Sequence, residues 1–345
     1  MLHPRARTDG RRLPIVLIIF YAVGGPLVGL RRVARPVPSV DRPLEFLCMI
    51  YGITGNVQKD SLWEPAGRLL HWMERQGLAY CVHPELRSGL ATHHPDLPNA
   101  SGVPCVDTLT DVADIIISFG GDGTLLRCAH EVDQAETPIL GINIGRLGFL
   151  AAIEVRGMLT AIEQIEAGAY LIDPRTTLKA TVAGQPAALP WSWALNEWVV
   201  ERDGPAGLIS VDVKVDGVPL NNYWADGLIM ATPTGSTAYS LAAGGPIVVP
   251  GSGVVTLSPL AAHALTVRPV VLPDTATIDI TVQTPGRQGY ILAGDGASAS
   301  IGVEETQIRV ERGNHRVRLV RLSDQHYFDT LRSKLMWGAD RNARS

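Results

Sequence analysis

The sequence has only four cysteines, Cys48, Cys81, Cys105 and Cys128, and no two of them form a CxxC pair or combine with histidine at a zinc-ligand spacing. That excludes a disulfide framework and a structural metal as organising devices, and it leads us to expect buried free thiols in a reducing compartment, the cytoplasm. Charge of one sign is also lacking: 30 Lys and Arg stand against 34 Asp and Glu, a formal net charge of −4. Sequence-independent nucleic-acid binding draws its affinity from a clustered basic surface, so no nucleic-acid partner is expected and any phosphate site has to be local. Three nucleotide signatures are missing too: there is no GxxxxGK[ST], no HRD with DFG, and no GxGxxG after a strand. A protein with this sequence that handles nucleoside phosphates does so by another device.

An uninterrupted long apolar run is wanting as well. The nearest approach is Leu13 to Leu30, LPIVLIIFYAVGGPLVGL, bracketed by Arg11, Arg12 and Arg31, Arg32. Gly24-Gly25-Pro26 interrupts it, no small-x-small cleavage site follows, and basic residues on both flanks give no orientation signal. A membrane partner is therefore not expected. We read residues 1–48 as a disordered or over-extended start, with translation beginning at Met49; a membrane anchor and an ordered extension are the alternatives.

What is present suffices for two cores. Of 345 residues 46% are hydrophobic and 19% charged, and the 35 glycines point to tight turns or close backbone approaches. From Met49 the pattern reads strand (MIYGI), loop (TGNVQKD) and helix, with Leu62, Ala66, Leu69, Leu70 and Met73 at three- and four-residue steps until Gly77. Ala113 to Phe119, ADIIISF, reads as a strand buried on both faces, Leu125, Leu126, Ala129 and Val132 mark one face of a helix, and Pro138 to Ile144, PILGINI, is the next strand. In such a β-α-β unit ligands sit at the carboxyl ends of the strands, where Gly120 to Gly123 fall. After Ile165 the chain turns to short β-branched runs separated by Gly, Pro, Asp and Asn, which predict an antiparallel sandwich or layered sheets with helix confined to Ser236 to Ala243. The tail from Ser323, SDQHYFDTLRSKLMWG, reads as a helix that packs back on the first domain. The expected fold class is α/β plus β, with an α/β domain at 49–150, a β-rich domain at 151–322 and a C-terminal segment at 323–345.

Three stretches carry chemistry. In Ser118 to Leu126, SFGGDGTLL, the glycines Gly120, Gly121 and Gly123 follow a strand and, with Thr124, open a helix, so backbone N–H groups can approach an anion aided by the helix terminus. Phosphate cradles normally avoid carboxylates, so Asp122 binds a metal, accepts a proton, or caps the helix. In Asp226 to Pro246, DGLIMATPTGSTAYSLAAGGP, the hydroxyls of Thr232, Thr234, Ser236 and Thr237 either cap the following helix or face a ligand. Tyr239 can stack on a base, and Gly244 and Gly245 either end that helix or admit a phosphate. In SWALNEWVVER, alternation puts Asn196 and Glu197 on opposite faces of a strand, as a solvent-facing pair or as ligand contacts. His93 and His94 are read as exposed loop histidines, the run from Glu304 to Arg312 as a solvated strand edge, and Trp191 and Trp193 as core or interface. No metal-ligating residues are assigned.

Together these stretches resemble the NAD kinase family. GGDGTLL (Gly120 to Leu126), NIGRLGFLA (Asn143 to Ala151), LNE (Leu195 to Glu197), DGLIMATPTGSTAYSLAAGGP (Asp226 to Pro246), SPLAAHALTVRPVVLP (Ser258 to Pro273) and LRSKLMWG (Leu331 to Gly338) occur in the family's order and approximate spacing. The resemblance implies a Rossmann-like, phosphofructokinase-like α/β domain followed by a β-sandwich-type domain. It implies phosphoryl transfer from ATP or polyphosphate to the 2′-hydroxyl of the adenosine ribose of NAD, with a divalent cation, normally Mg²⁺, accompanying the donor. It also implies a homodimer or homotetramer. Carried over by position, Asp122 matches the proton acceptor, and Asp122, Gly123, Arg127, Asn196, Glu197, Asp226, Thr234, Thr237, Ala238, Tyr239, Ser240, Leu241 and Ala242 match NAD contacts. The competing readings are a lipid kinase of the diacylglycerol kinase type, which shares GGDGT, and a non-catalytic NAD-binding regulator.

Overall fold

Isoleucines 115, 116 and 117 open a strand whose every residue is buried, and this sets the first half of the fold. A strand apolar on both faces needs cover on both, so helices must flank it. The computed structural model describes residues 49–95, 105–145, 148–184, 191–204, 207–285, 289–302 and 306–337. The apolar run at Leu13 to Leu30, most of the loop after His93, and Glu304 and Glu305 lie outside the described residues.

The first half runs β1 (Ile50–Gly55), α1 (Trp63–Gln76), β2 (Ala79–Val82), α2 (Pro84–His93), β3 (Ile115–Gly120), α3 (Asp122–Val132), β4 (Ile139–Asn143), β5 (Ile153–Glu154) and α4 (Met158–Glu166). Strands β2, β1, β3, β4 and β5 pair in parallel. One face of this sheet packs Ile53, Ile117, Phe119 and Ile142 against α1 and α4; the other packs Ile116 and Ile139 against Leu125, Cys128 and Ala129 of α3. Helix α1 ends where the sequence says it does, with Gly77 left-handed at φ 71°. Strand β2 and helix α2 are absent from the sequence reading: β2 has only four residues, and α2 buries only Leu86 and Leu90, too few apolar positions to mark a period.

The second half comprises β6 (Tyr170–Val182), β7 (Trp193–Ala194), β8 (Glu197–Arg202), β9 (Ile209–Val215), β10 (Val218–Ala225), β11 (Gly227–Ala231), α5 (Tyr239–Ala242), β12 (Val254–Leu260), β13 (Val270–Pro273), β14 (Ile278–Gln283), β15 (Tyr290–Gly294), β16 (Ala297–Ile301), β17 (Thr306–Leu322) and α6 (Tyr327–Leu335). A six-stranded sheet in the order β13-β12-β11-β8-β15-β16 faces β6, β9, β14 and β17 across a core that includes Trp198, Leu228, Val213 and Ile280. This is the expected pairing of an α/β part with layered β-sheets.

Three sequence expectations need correction. The strands of the second half are not all short: β6 has 13 residues and β17 has 17. Nor is β17 an edge. It lies between β14 and β6, with Arg309 paired to Asp279 and Arg312 to Asp274, so its alternating charges meet cross-strand partners instead of water alone. A register shift between Arg312 and Arg316 lets the strand continue until Leu319 pairs in parallel with Ile139 of β4. Through that pairing the parallel strands and the β9–β10–β14 layer form one eleven-stranded sheet. The histidines differ from expectation in part: His93 is exposed but ends α2 and stacks on the Trp63 ring at 4.5 Å, while His94 is half-buried with Nε2 2.7 Å from the Trp63 carbonyl. No helix among the described residues is long and apolar enough to cross a membrane.

Candidate active site

The GGDG turn is a cradle with one carboxylate turned away from capping. The residue preceding α3 is Gly121, with φ −110° and ψ −167°, and Asp122 is already the first helical residue. Its side chain does not cap the helix. Instead it crosses to the loop after β4, where Oδ2 accepts from Phe149 N at 2.8 Å and Oδ1 from Leu150 N and Ala151 N at 3.0 and 3.1 Å. Gly148 makes that approach possible, because a Cβ there would lie 1.8 Å from Asp122 Oδ1. Three of the roughly four lone-pair sites of the carboxylate are thus filled. One remains.

The glycines divide their work. A Cβ on Gly120 would lie 2.2 Å from Thr124 Oγ1, so this glycine serves packing, whereas Gly121 and Gly123 face open space. Both border a cavity of about 260 Å³, lined also by Asn56, Lys59, Thr124 and Arg127. Arg127 donates to Gly55 O at 3.2 Å and lies 3.8 Å from Glu131, so its guanidinium is held over the opening. Lys59 is exposed and has no ion-pair partner among the described residues. Sequence reasoning missed it and Asn56; the available signal was their place in the TGNVQKD loop at the carboxyl end of β1, which pairs with β3.

The second group gathers around the connection from β7 to β8. Thr232 N donates to Asn196 O at 2.9 Å, Thr232 Oγ1 donates to Leu195 O at 2.6 Å, and Gly235 N donates to Thr232 Oγ1 at 3.1 Å. The TPTGST turn is therefore laced to Asn196. Burial, aided by the charge of Asp295, pushes the Glu197 carboxyl up to about 8, and its Oε2 is buried without a partner. Tyr239 is 43% exposed; burial and the nearby Glu201, Asp226 and Glu197 raise its phenol, so these groups share one locale. Asp226 accepts from Arg202 Nε at 2.7 Å.

The hydroxyls choose structure over capping. None caps α5. Thr234 is buried against Arg175 at 3.2 Å, Ser236 binds Pro233 O and Val248, and Thr237 Oγ1 donates to Thr234 O. Ser240 turns inward to Ser258 at 3.1 Å, which leaves its side chain no access to a ligand in this arrangement. Ala238 and Leu241 are half-buried and Ala242 is exposed. Gly244, at φ 80°, ends α5 and faces open space, while a Cβ on Gly245 would lie 2.3 Å from Ser240 Oγ, so Gly245 serves packing.

A pH dependence arises here. Between the ordinary glutamate range and about pH 8 the folded protein holds a proton on Glu197 that the unfolded chain has lost, so this group's contribution to stability declines as pH rises across that window and is spent above it. Melting temperatures of the wild type and Glu197→Gln, measured from pH 6 to pH 9.5, are expected to diverge in favour of the variant as pH rises. Parallel curves would show that Glu197 is ionised throughout.

Comparison with known proteins agrees with this geometry. The model of the ATP-NAD kinase N-terminal domain matches residues 51–170, and that of the ATP-NAD kinase C-terminal domain matches residues 195–322. The chain is 37% identical over 293 residues to an NAD kinase of Bacteroides fragilis, covering 85% of this chain and 99% of that protein. It is 37% identical to an NAD kinase of Moorella thermoacetica, covering 84% and 90%. Among solved structures, yeast NADH kinase in complex with NADH superposes with a TM-score of 0.75 at 22% identity, covering 86% of this chain and 90% of that one. An NAD kinase from Archaeoglobus fulgidus in complex with ATP superposes with a TM-score of 0.62 at 25% identity, covering 84% and 99%. With both family domains matched in order around a glycine cradle and a fixed carboxylate, this chain belongs to the NAD kinase family.

Proposed function

We propose that the protein transfers the terminal phosphoryl group of ATP, or of inorganic polyphosphate, to the 2′-hydroxyl of the adenosine ribose of NAD, giving NADP. The observation that carries the reading is Asp122, a carboxylate locked by three backbone N–H groups beside an open, cation-lined cradle. Phosphoryl transfer asks the protein mainly to position two partners and to spread negative charge. In this reading Gly121, Gly123, Lys59 and Arg127 receive the donor phosphates, and Asn196, Glu197, Asp226 and Tyr239 receive NAD. Asp122 takes the hydroxyl proton on its remaining lone pair as the bond to phosphorus forms. NADP formation from NAD and ATP by the purified protein tests the whole assignment; NAD binding without turnover would mean a regulator. Neither that alternative nor a lipid kinase draws support from the relatives named above.

The described residues gather no group of three His, Cys, Asp or Glu side chains fit to hold a metal, so a protein-built metal cage does not fit. Mg²⁺ is bound in many such sites through substrate phosphates and water, and we assign the divalent cation to the donor. Removing Lys59, as Lys59→Ala, is expected to raise KM for ATP about ten- to a hundredfold with KM for NAD unchanged, the range of one hydrogen bond to a charged phosphate. An unchanged KM for ATP in steady-state assays would take Lys59 out of the donor site. We further propose a homodimer or homotetramer in the cytoplasm. Exposed Trp224 and Leu265 supply apolar surface for self-association, and Cys81, Cys105 and Cys128 are free thiols.

A further inference from the structure

Helix α3 carries Asp122 in its first turn and His130 in its last, and the histidine reaches a different part of the molecule. His130 Nε2 lies 3.0 Å from Asp295 Oδ2, with the two side chains 6% and 0% exposed. The imidazole is clamped between two indoles, Trp191 and Trp193, each with its centroid 4.0 Å away. The indoles are themselves tied: Trp193 Nε1 donates to Asp133 Oδ1 at 2.8 Å and Trp191 Nε1 to Gly294 O at 3.3 Å. Because a carboxylate only accepts, Nε2 carries the hydrogen, and the stack fixes the direction in which it points.

Asp295 spends its remaining contacts on one segment. Leu195 N donates to Oδ2 at 2.5 Å and Asn196 N to Oδ1 at 2.8 Å. A continuous path therefore runs from α3 through His130 and Asp295 to the backbone that presents Asn196 and Glu197. If the ring merely filled space, a phenylalanine would serve better, since the buried Nδ1 of His130 has no hydrogen-bond partner and its desolvation is uncompensated.

We propose that His130 is a positioning residue of the phosphoryl-transfer reaction: by donating to Asp295 it fixes the Asn196–Glu197 segment, and with it NAD, relative to the helix that bears Asp122. This rests on the NAD kinase reading of the site. It assigns His130 no contact with either substrate.

The test compares His130→Phe, which keeps the aromatic stack but loses the donor, with His130→Gln, which keeps an N–H donor. The expected result is that His130→Phe raises KM for NAD about tenfold, the value of one hydrogen bond to a carboxylate, while KM for ATP stays within about twofold. His130→Gln is expected to recover most of that loss. A His130→Phe enzyme with wild-type KM for NAD, or equal losses for both substrates with no rescue by glutamine, overturns the proposal. Should His130→Phe fail to fold, His130→Gln against His130→Ala decides by the same ratio, with melting temperatures recorded alongside. Wild-type protein run in parallel separates the two levels of inference. If it forms no NADP, the NAD kinase reading fails, and NAD dissociation constants from calorimetry on the same variants then judge His130 alone.

Discussion

Replacing Asp122 by asparagine is expected to lower NADP formation by about 10²–10⁴-fold, the usual worth of a positioned base, while NAD still binds. The size follows from what the substitution removes. An amide cannot accept the ribose proton, and the cradle that receives the donor is otherwise untouched, so the loss falls on kcat. A structural cost comes with it. Both carboxylate oxygens accept backbone N–H groups, and an asparagine must turn its NH₂ toward one of them, leaving a donor unpaired at about 1–3 kcal/mol. The variant should therefore melt a few degrees lower yet remain folded. Calorimetric titration with NAD beside a coupled NADP assay separates the two effects: retained binding with lost turnover supports the role, and near-normal turnover removes Asp122 from it.

Gly235→Ala is expected to show the opposite signature, a large loss of stability and of NAD affinity together. A Cβ at this position would lie 2.1 Å from Asn196 O, 2.5 Å from its carbonyl carbon and 2.8 Å from its Cα. All three are backbone atoms, so no side-chain rotation relieves the overlap, and Asn196 or the whole TPTGST turn has to move. Overpacking of this kind costs about 1–3 kcal/mol or more, and the displaced segment carries Asn196 and Glu197. We expect a melting temperature lower by several degrees and KM for NAD raised more than tenfold. Gly123→Ala is the control. Its Cβ meets nothing within 4 Å, and it lies inside α3, where alanine is favoured over glycine by about 0.5–1 kcal/mol; its melting temperature should hold or rise. A Gly235→Ala protein as stable as wild type would show that the turn is slack.

The site was legible where the chemistry is local. A strand of isoleucines running into GGDGT specifies a turn, a helix amino terminus and a carboxylate within a few residues, and those features stand as read, down to the left-handed Gly77 that stops α1. It was illegible where one residue type serves two ends. From sequence the glycines of the cradle are equivalent, but Gly120 yields to Thr124 while Gly121 and Gly123 border the cavity. The hydroxyls of TPTGST could equally have capped a helix or met a ligand; contacts with Leu195 and Val248, distant along the chain, are what commit Thr232 and Ser236 to the fold.

By itself the sequence determined the class of the protein: alternating patterns fix β-α-β followed by layered sheets, and the ordered motifs fix the NAD kinase family, because both depend on residues close to one another along the chain. Only the tertiary structure decided what Asp122 touches, that β17 crosses from the second half to pair with β4, and that His130 meets Asp295. Those contacts join residues 27, 180 and 165 positions apart, separations over which local propensity carries no information and packing alone selects the partner.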